Sequence, residues 1–418
     1  MMHRTVLDNG LRLLSEEVLG MPSVTVGIWV ENGSRDEAQH ENGLSHFLEH
    51  LFFKGTSRRS AAAIAEEVDA IGGVLDAFTG KEYTCYYARV LAEHLPLALD
   101  LLTDVFLHSQ FPEEEIERER SVICQEIAQI EDTPDDLVHD LFYLDFWRGH
   151  PLSWPISGTT ATVSRFQRED FVKFLDRRYR PDRIFMTMAG GAKHEEFVDS
   201  VAAAFSVLGG KSIGVSAPPP VVQPGVYPHL RDLEQTHLCF GASCVSQLAP
   251  EWFAAYLLHT ALGGGMSSRL FQEIRERRGL AYDVTSFLST YRDAGYLGVY
   301  VATSAEWAPE VMAITCATLR QVAREGISAE ELRRAQGHVK GSMLLGLETS
   351  EARMNRLARC EIYFRRDIPV AEVAESIERV TLDDVHALAA RCFASEERTL
   401  TILGELPRVK DLQSLLDV

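Results

Sequence analysis

His46 and His50, four residues apart with Glu49 directly before the second, are the residues of this chain best suited to chemistry. They lie in Gly43-Leu44-Ser45-His46-Phe47-Leu48-Glu49-His50-Leu51-Phe52-Phe53-Lys54-Gly55-Thr56. On a helix, positions i and i+4 are neighbours on one face. Both imidazoles can then reach one metal ion, and Glu49 points to the same region. Two neutral imidazoles and a carboxylate are what a catalytic zinc site needs: nitrogen ligands, and a base beside the water. Leu44, Phe47, Leu48, Leu51 and Phe52 fill the remaining positions, so the helix is expected to be mostly buried. Two His and a Glu carried into such surroundings cost free energy unless something satisfies them. The competing reading is a core helix whose histidines are merely hydrogen-bonded.

A third ligand has to come from elsewhere. Phe111-Pro112-Glu113-Glu114-Glu115 opens a helix, with Pro and acids where helix starts prefer them. On it Glu119 and Glu126 are seven apart, two turns, and share a face. Glu126 is either part of a solvated face or a carboxylate ligand. Three protein ligands and one open position make the catalytic zinc arrangement.

The elements that must position these residues form an α+β pattern. Residues 4–31 read as strands, with Asn9-Gly10 as a hairpin signal. After the His46 helix come a helix near residues 61–71, a break at Gly72-Gly73, and strands at 74–79 and 83–90. Residues 91–107 are helical, helices continue to about Arg178, and 183–190 close the half as a strand. Residues 209–225, rich in Gly and Pro, read as a linker between a domain of residues 1–208 and one of 226–418.

The two sides of the linker repeat one another. The stretch from Val380 to Gly404 echoes Phe166 to Gly190 at an offset of 214 residues, and Ile327–Arg334 echoes Phe111–Arg118 at 216. Two tandem homologous domains are therefore expected, each a mainly antiparallel sheet packed with helices. Moved forward by 216, His46 to His50 fall on Leu262 to Met266, and Glu119 and Glu126 on Ala335 and Ser342. The second copy keeps the framework and lacks every presumed metal residue. Groups that served only the fold would have had no clear reason to vanish there, which favours a functional site in the first copy.

Composition bounds the rest. Apolar content of 46% and charged content of 24% describe an ordinary globular protein. No stretch suits a membrane span and the start lacks a secretory signal, so a cytoplasmic location is expected. The seven cysteines are scattered without a C-x-x-C pair, as in a reducing compartment. A formal net charge of −20 argues against nucleic acid as a partner.

The chain resembles the pitrilysin/insulinase family of zinc peptidases, whose H-x-x-E-H order inverts the commoner H-E-x-x-H. Its short members related to the β subunit of mitochondrial processing peptidase are the most similar. The resemblance covers essentially the whole chain. It rests on His46-Phe47-Leu48-Glu49-His50 with Phe53-Lys54-Gly55-Thr56, on Glu119 and Glu126, and on Gly263-Gly264-Gly265-Met266-Ser267-Ser268-Arg269-Leu270-Phe271 leading to Arg275 and Tyr282. It implies one zinc per chain on His46, His50 and Glu126, with Glu49 as general base and Glu119 orienting a ligand. Arg275 and Tyr282 match the family pair that reaches the substrate carbonyl; by spacing alone they are equally an amphipathic helix end.

The resemblance further implies a zinc endopeptidase acting on short or unfolded peptides. These would bind as an added strand along Leu75, Asp76, Ala77, Phe78 and Thr79. Asp76 stands where family members often carry Asn, and an ionised Asp cannot donate a hydrogen bond. A homodimer, or a heterodimer, enclosing a chamber is expected, each chain forming half of a clamshell. The alternative is a non-catalytic scaffold or partner subunit, a role in which relatives tend to have lost the motif that this chain keeps.

Overall fold

The computed structural model describes residues 2–212, 217–394, 396–406 and 416 of the chain. The strands, in chain order, are β1 (Met2–Val6), β2 (Arg12–Glu17), β3 (Ser23–Val30), β4 (Val74–Thr79), β5 (Thr84–Leu91) and β6 (Ile184–Gly190). Next come β7 (Gly225–His229), β8 (Thr236–Ser243), β9 (Ala281–Thr290), β10 (Gly295–Thr303) and β11 (Arg398–Leu403). The first six form one sheet in the order β1-β2-β6-β3-β5-β4, the last five another in the order β7-β11-β8-β10-β9.

Aligned from β2 and β7 onward, the two orders are the same. Each sheet is antiparallel apart from one pair, β2 with β6 and β7 with β11, at the equivalent place. The repeat read from sequence is thus a repeat of topology, and the α+β expectation holds. The parallel pairs are an addition: β6 and β11 return from the far end of each repeat, so a crossover joins them to their neighbours.

The compact units are not contiguous in sequence. One takes the chain up to Gln129, Trp154–Ala217 and Leu345–Asp367. The other takes Ile130–Ser153, Pro218–Leu344 and the chain from Ile368 onward. Of the expected linker, residues 213–216 lie outside the described residues. Val222 is buried, Gln223 N–H donates to the Phe146 carbonyl at 2.8 Å, and Gly225 already begins β7.

In the first unit, side chains alternate between two buried sheet faces. Val24, Val26, Ile28 and Val30 of β3 join a cluster built with Phe47, Leu48 and Leu51 of the His46 helix. Trp29 turns to the other face, where Phe185, Met354, Leu357 and Ala358 cover it. The last three belong to the helix Ser350–Arg359, a late segment of the chain. Gly27 makes room for it, since a Cβ there would sit 2.8 Å from Met354 Sδ.

The second unit is built the same way. Its equivalent face is covered by the helix Pro134–Phe146, from the first half of the sequence, through Leu137, Val138, Phe142 and Phe146. Gly241 on β8, 214 residues after Gly27, accommodates it: a Cβ there would lie 2.2 Å from Phe142 Cζ. Among the described residues no helix is long and apolar enough to cross a membrane.

Candidate metal centre

The helix Leu44–Leu51 buries Leu44, Phe47, Leu48 and Leu51 and presents His46 and His50 on its other side. Gly43 precedes it at φ +100°, a left-handed conformation in which most side chains are strained. A Cβ on Gly43 would also press to 2.9 Å from the Ser157 carbonyl oxygen. The start of this helix is held by a residue that sequence patterning did not single out. Glu37 accepts the backbone N–H groups of Gly43 (2.9 Å) and Ser45 (2.7 Å) and the Asn42 amide (3.3 Å). Burial pushes its carboxyl pKa up to about 7, against the opposing pull of those donors. Nothing local marks Glu37, because its role depends on the fold bringing residues 42–45 around it.

The helix Glu113–Asp132 supplies the carboxylates. Glu126 Oε2 lies 3.9 Å from His46 Nε2 and 3.6 Å from His50 Nε2. One ligand atom from each of His46, His50 and Glu126 falls within 4.8 Å of the other two. These distances are too long for hydrogen bonds. The two Glu126–imidazole separations are close to the spacing of two ligands each ~2.1 Å from a tetrahedral ion, which lie ~3.4 Å apart.

The protonation states fit as well. His50 Nδ1 is 3.0 Å from Glu119 Oε2, and a carboxylate only accepts, so Nδ1 carries the proton and Nε2 keeps its lone pair. The second Glu119 oxygen holds the Lys54 ammonium at 2.7 Å. Burial, and then the charge that His50 carries when protonated, drive the His46 pKa down to about 4, so its imidazole is neutral at ordinary pH. The donor set, two imidazoles and a carboxylate, is one that zinc accepts.

Glu49 lies on the same helix. Its Oε2 is buried without a hydrogen-bond partner, as is His46 Nδ1. Burial raises the Glu49 pKa above the usual carboxylate range, opposed by the Thr79 hydroxyl. A partly desolvated carboxylate with one unpartnered oxygen, beside three converging side chains of metal-binding type, is chemically suited to proton exchange. Lys54 was visible in the sequence only as part of the Phe53–Thr56 motif. Its contact with Glu119 gives that position a physical role.

The strand β4 is the free edge of its sheet. Leu75 and Ala77 pack toward the core that includes the His46 helix, whereas Phe78 packs with Trp29 and Tyr83 on the opposite face. Thr79 Oγ1 reaches the Ser45 carbonyl at 3.5 Å. Asp76 is exposed, and its Oδ1 accepts the N–H of Ala77 at 2.8 Å. That N–H is one an added strand would otherwise use.

In the second unit Arg275 lies in a π-helical turn, Phe271–Glu276, where Arg277 N–H reaches back five residues to the Gln272 carbonyl. Such turns recur at functional sites. The Arg275 guanidinium sits over the Tyr282 ring at 4.4 Å and the Phe271 ring at 4.8 Å. Tyr282, second residue of β9, is 77% exposed, so its hydroxyl is free to meet a ligand.

The two halves of the chain match two family models. The description Insulinase (Peptidase family M16) matches residues 12–160, and Peptidase M16 inactive domain matches 165–338. The uncharacterized zinc protease YmxG of Bacillus subtilis is 38% identical over 97% of this chain and 100% of its own. An uncharacterized zinc protease of Mycobacterium tuberculosis is 41% identical over 96% of this chain and 92% of its own. The chain belongs to the insulinase family of peptidases, M16. A protease from Helicobacter pylori shares the M16 fold with a TM-score of 0.88 at 21% identity, covering 97% of this chain and 99% of the other. The name of the second M16 match, an inactive domain, agrees with the second repeat's loss of the His46, His50 and Glu126 equivalents.

Proposed function

We propose that this M16 protein is a zinc endopeptidase in which His46, His50 and Glu126 hold the metal and Glu49 moves the proton. The observation that carries this is the convergence of those three ligand atoms within 4.8 Å, the two His on the helix that also bears Glu49 with its unpartnered Oε2. When bound, zinc supplies Lewis-acid polarisation of the peptide carbonyl and acidification of the attacking water. Glu49 takes the proton from that water and returns it to the leaving amine. Its raised pKa suits both halves of that transfer, since the protonated form is accessible. Glu119 fixes the His50 tautomer and orientation, with Lys54 holding Glu119 in turn.

The substrate lies as an added strand along β4, from Leu75 to Thr79, displacing the Asp76 carboxylate from the Ala77 N–H. Arg275 and Tyr282 are the donors for the oxyanion of the tetrahedral intermediate. An extended-strand mode admits short or unfolded peptides. We place the protein in the cytoplasm, in keeping with its seven free cysteines, and assign it a homodimer on its likeness to short family members.

Mass-spectrometric cleavage of a mixed peptide pool by wild type and Glu49→Gln tests this reading. Cleavage by wild type alone, abolished by chelation and restored by zinc, is the expected result. Equal cleavage by both proteins removes Glu49 as the base. No cleavage by either, with zinc bound, favours a partner or scaffold subunit.

A further inference from the structure

Two thiols far apart in sequence meet in the second unit. Cys244 opens the loop after β8, and Cys392 lies near the end of the helix Leu382–Ala394. The Cys392 S–H donates to Cys244 Sγ across 3.6 Å. The backbone N–H of Cys244 is tied to the Gly295 carbonyl at 2.9 Å, which fixes the loop in this position. Cys392 is 2% exposed and Cys244 is half-buried, so of the two residues Cys244 lies nearer the surface.

The surroundings divide the chemistry between them. The bond from Cys392 lowers the Cys244 pKa against the effect of burial, and the Val245 N–H and the Arg391 guanidinium add to the lowering. Arg391 is itself paired with Glu251 at 3.1 Å, which keeps it beside the loop. The Cys392 pKa is raised, by that bond and by burial. Cys85 and Cys239 are fully buried with thiols pushed well above the ordinary range by burial, as inert structural cysteines are.

We propose that Cys244 and Cys392 are an oxidant-responsive thiol pair, in which a hydroperoxide oxidises Cys244 and Cys392 resolves it into a disulfide. The Cys244 thiolate attacks one peroxide oxygen; the S–O bond forms, the O–O bond breaks, and the departing hydroxide takes a proton to become water. The Cys392 sulfur then attacks the sulfenic sulfur, forming S–S and expelling a second water. The two thiols together lose two electrons and two protons, and hydrogen peroxide is reduced to two waters. A disulfide needs its sulfurs ~2.05 Å apart, so the pair must approach by ~1.5 Å. The cross-link spans 148 positions of sequence and ties the loop leading into the helix Trp252–Gly263 to the helix Leu382–Ala394.

The test is a hydrogen peroxide titration of the folded full chain, followed by alkylation and peptide mapping under non-reducing conditions. The expected product has lost two hydrogens, contains a peptide linking Cys244 to Cys392, and reverts with a dithiol reductant. Cys392→Ser is expected to stop at a Cys244 sulfenic acid that a dimedone probe captures, and Cys244→Ser to give neither product. Circular dichroism of each variant checks that it folds. Failure of the cross-link to form while Cys244 oxidises, or oxidation that begins at another cysteine, overturns the proposal. Because the readout is covalent, it is independent of peptidase activity.

Discussion

Replacing Glu119 tests whether the residues behind the proposed metal ligands set the site's affinity or merely fill space. Its carboxylate makes two charge-assisted contacts, one oxygen with His50 Nδ1 at 3.0 Å and the other with Lys54 Nζ at 2.7 Å. Its side chain is only 7% exposed, so water does not readily replace either partner. In Glu119→Gln the amide has one acceptor oxygen, which serves His50 or Lys54 but not both. The NH2 group then faces a donor. If the oxygen turns to Lys54, His50 is free to rotate or to adopt the other tautomer. Loss of such an orienting partner costs about 10–100-fold in metal affinity, or about 1.4–2.7 kcal/mol. Glu119→Ala removes both contacts and sits at the upper end of that range.

Zinc affinity is measured by competition with a chromophoric chelator, and the stability of the metal-free proteins by denaturant unfolding. A weaker zinc constant for Glu119→Gln, with hydrolysis recovering at saturating zinc, is the expected pattern. An unchanged zinc constant in a variant whose metal-free form is destabilised refutes the reasoning. Glu119 would then be a structural partner of Lys54 and not an orienter of His50.

Tyr282→Phe keeps the ring under the Arg275 guanidinium and deletes only the hydroxyl. Turnover is expected to fall by about 10²–10³-fold, the cost of one oxyanion donor, with unfolding unchanged. An unaltered kcat excludes that hydroxyl from the reaction. Gly241→Ala drives a Cβ to 2.2 Å from the Phe142 ring and is expected to cost about 1–3 kcal/mol. Gly27→Ala should cost less, because the atom it meets at 2.8 Å is the flexible Met354 sulfur. Reversal of that order in denaturant midpoints contradicts the packing described. Glu37 has a folded pKa of about 7 against 4.5 unfolded, so the folded state retains the proton more tightly. Its contribution to stability is full at low pH and is lost as pH rises from about 4.5 through about 7. The loss is on the order of 3 kcal/mol. Glu37→Gln should flatten that part of the stability profile of the metal-free protein, and parallel wild-type and variant profiles disprove it.

Much of this was legible in the sequence because it is periodic or repeated. The apolar spacing around His46 marked a helix buried on one side. Phe111-Pro112-Glu113 marked the start of the helix that carries Glu119 and Glu126. The recurrence of Phe166–Gly190 as Val380–Gly404 is seen again in two sheets of one strand order. What stayed hidden depends on contacts that local patterning does not encode. Pro134–Phe146 falls in a run that reads only as helical and Ser350–Arg359 carries no signal of its own, and nothing in either says which sheet it covers. Glu37 and Lys54 are single polar residues whose partners, Ser45 at the start of the His46 helix and Glu119 from a distant helix, follow no periodic pattern. Asp76 was noticed as a departure from the family pattern. Its hold on the Ala77 N–H became visible only with β4 at a sheet edge.

Each sheet here is covered by a helix from the other half of the chain, and during translation one partner has to wait for the other. Trp29 leaves the ribosome 325 residues before Met354, its cover on the finished sheet. At about 5–20 residues per second, the interval is on the order of 15–65 s. Once β6 has been made, β3, β5 and β6 can pair while the face bearing Trp29, Cys85 and Phe185 still has nothing from Ser350–Arg359 to lie on it. The helix Pro134–Phe146 has the converse problem, since it is made before β8 and β10, the strands it will cover. A nascent chain with one apolar sheet face and one apolar helix both unclaimed is a natural client for a chaperone. A ribosome stalled near residue 340 would release a product that cannot finish either sheet.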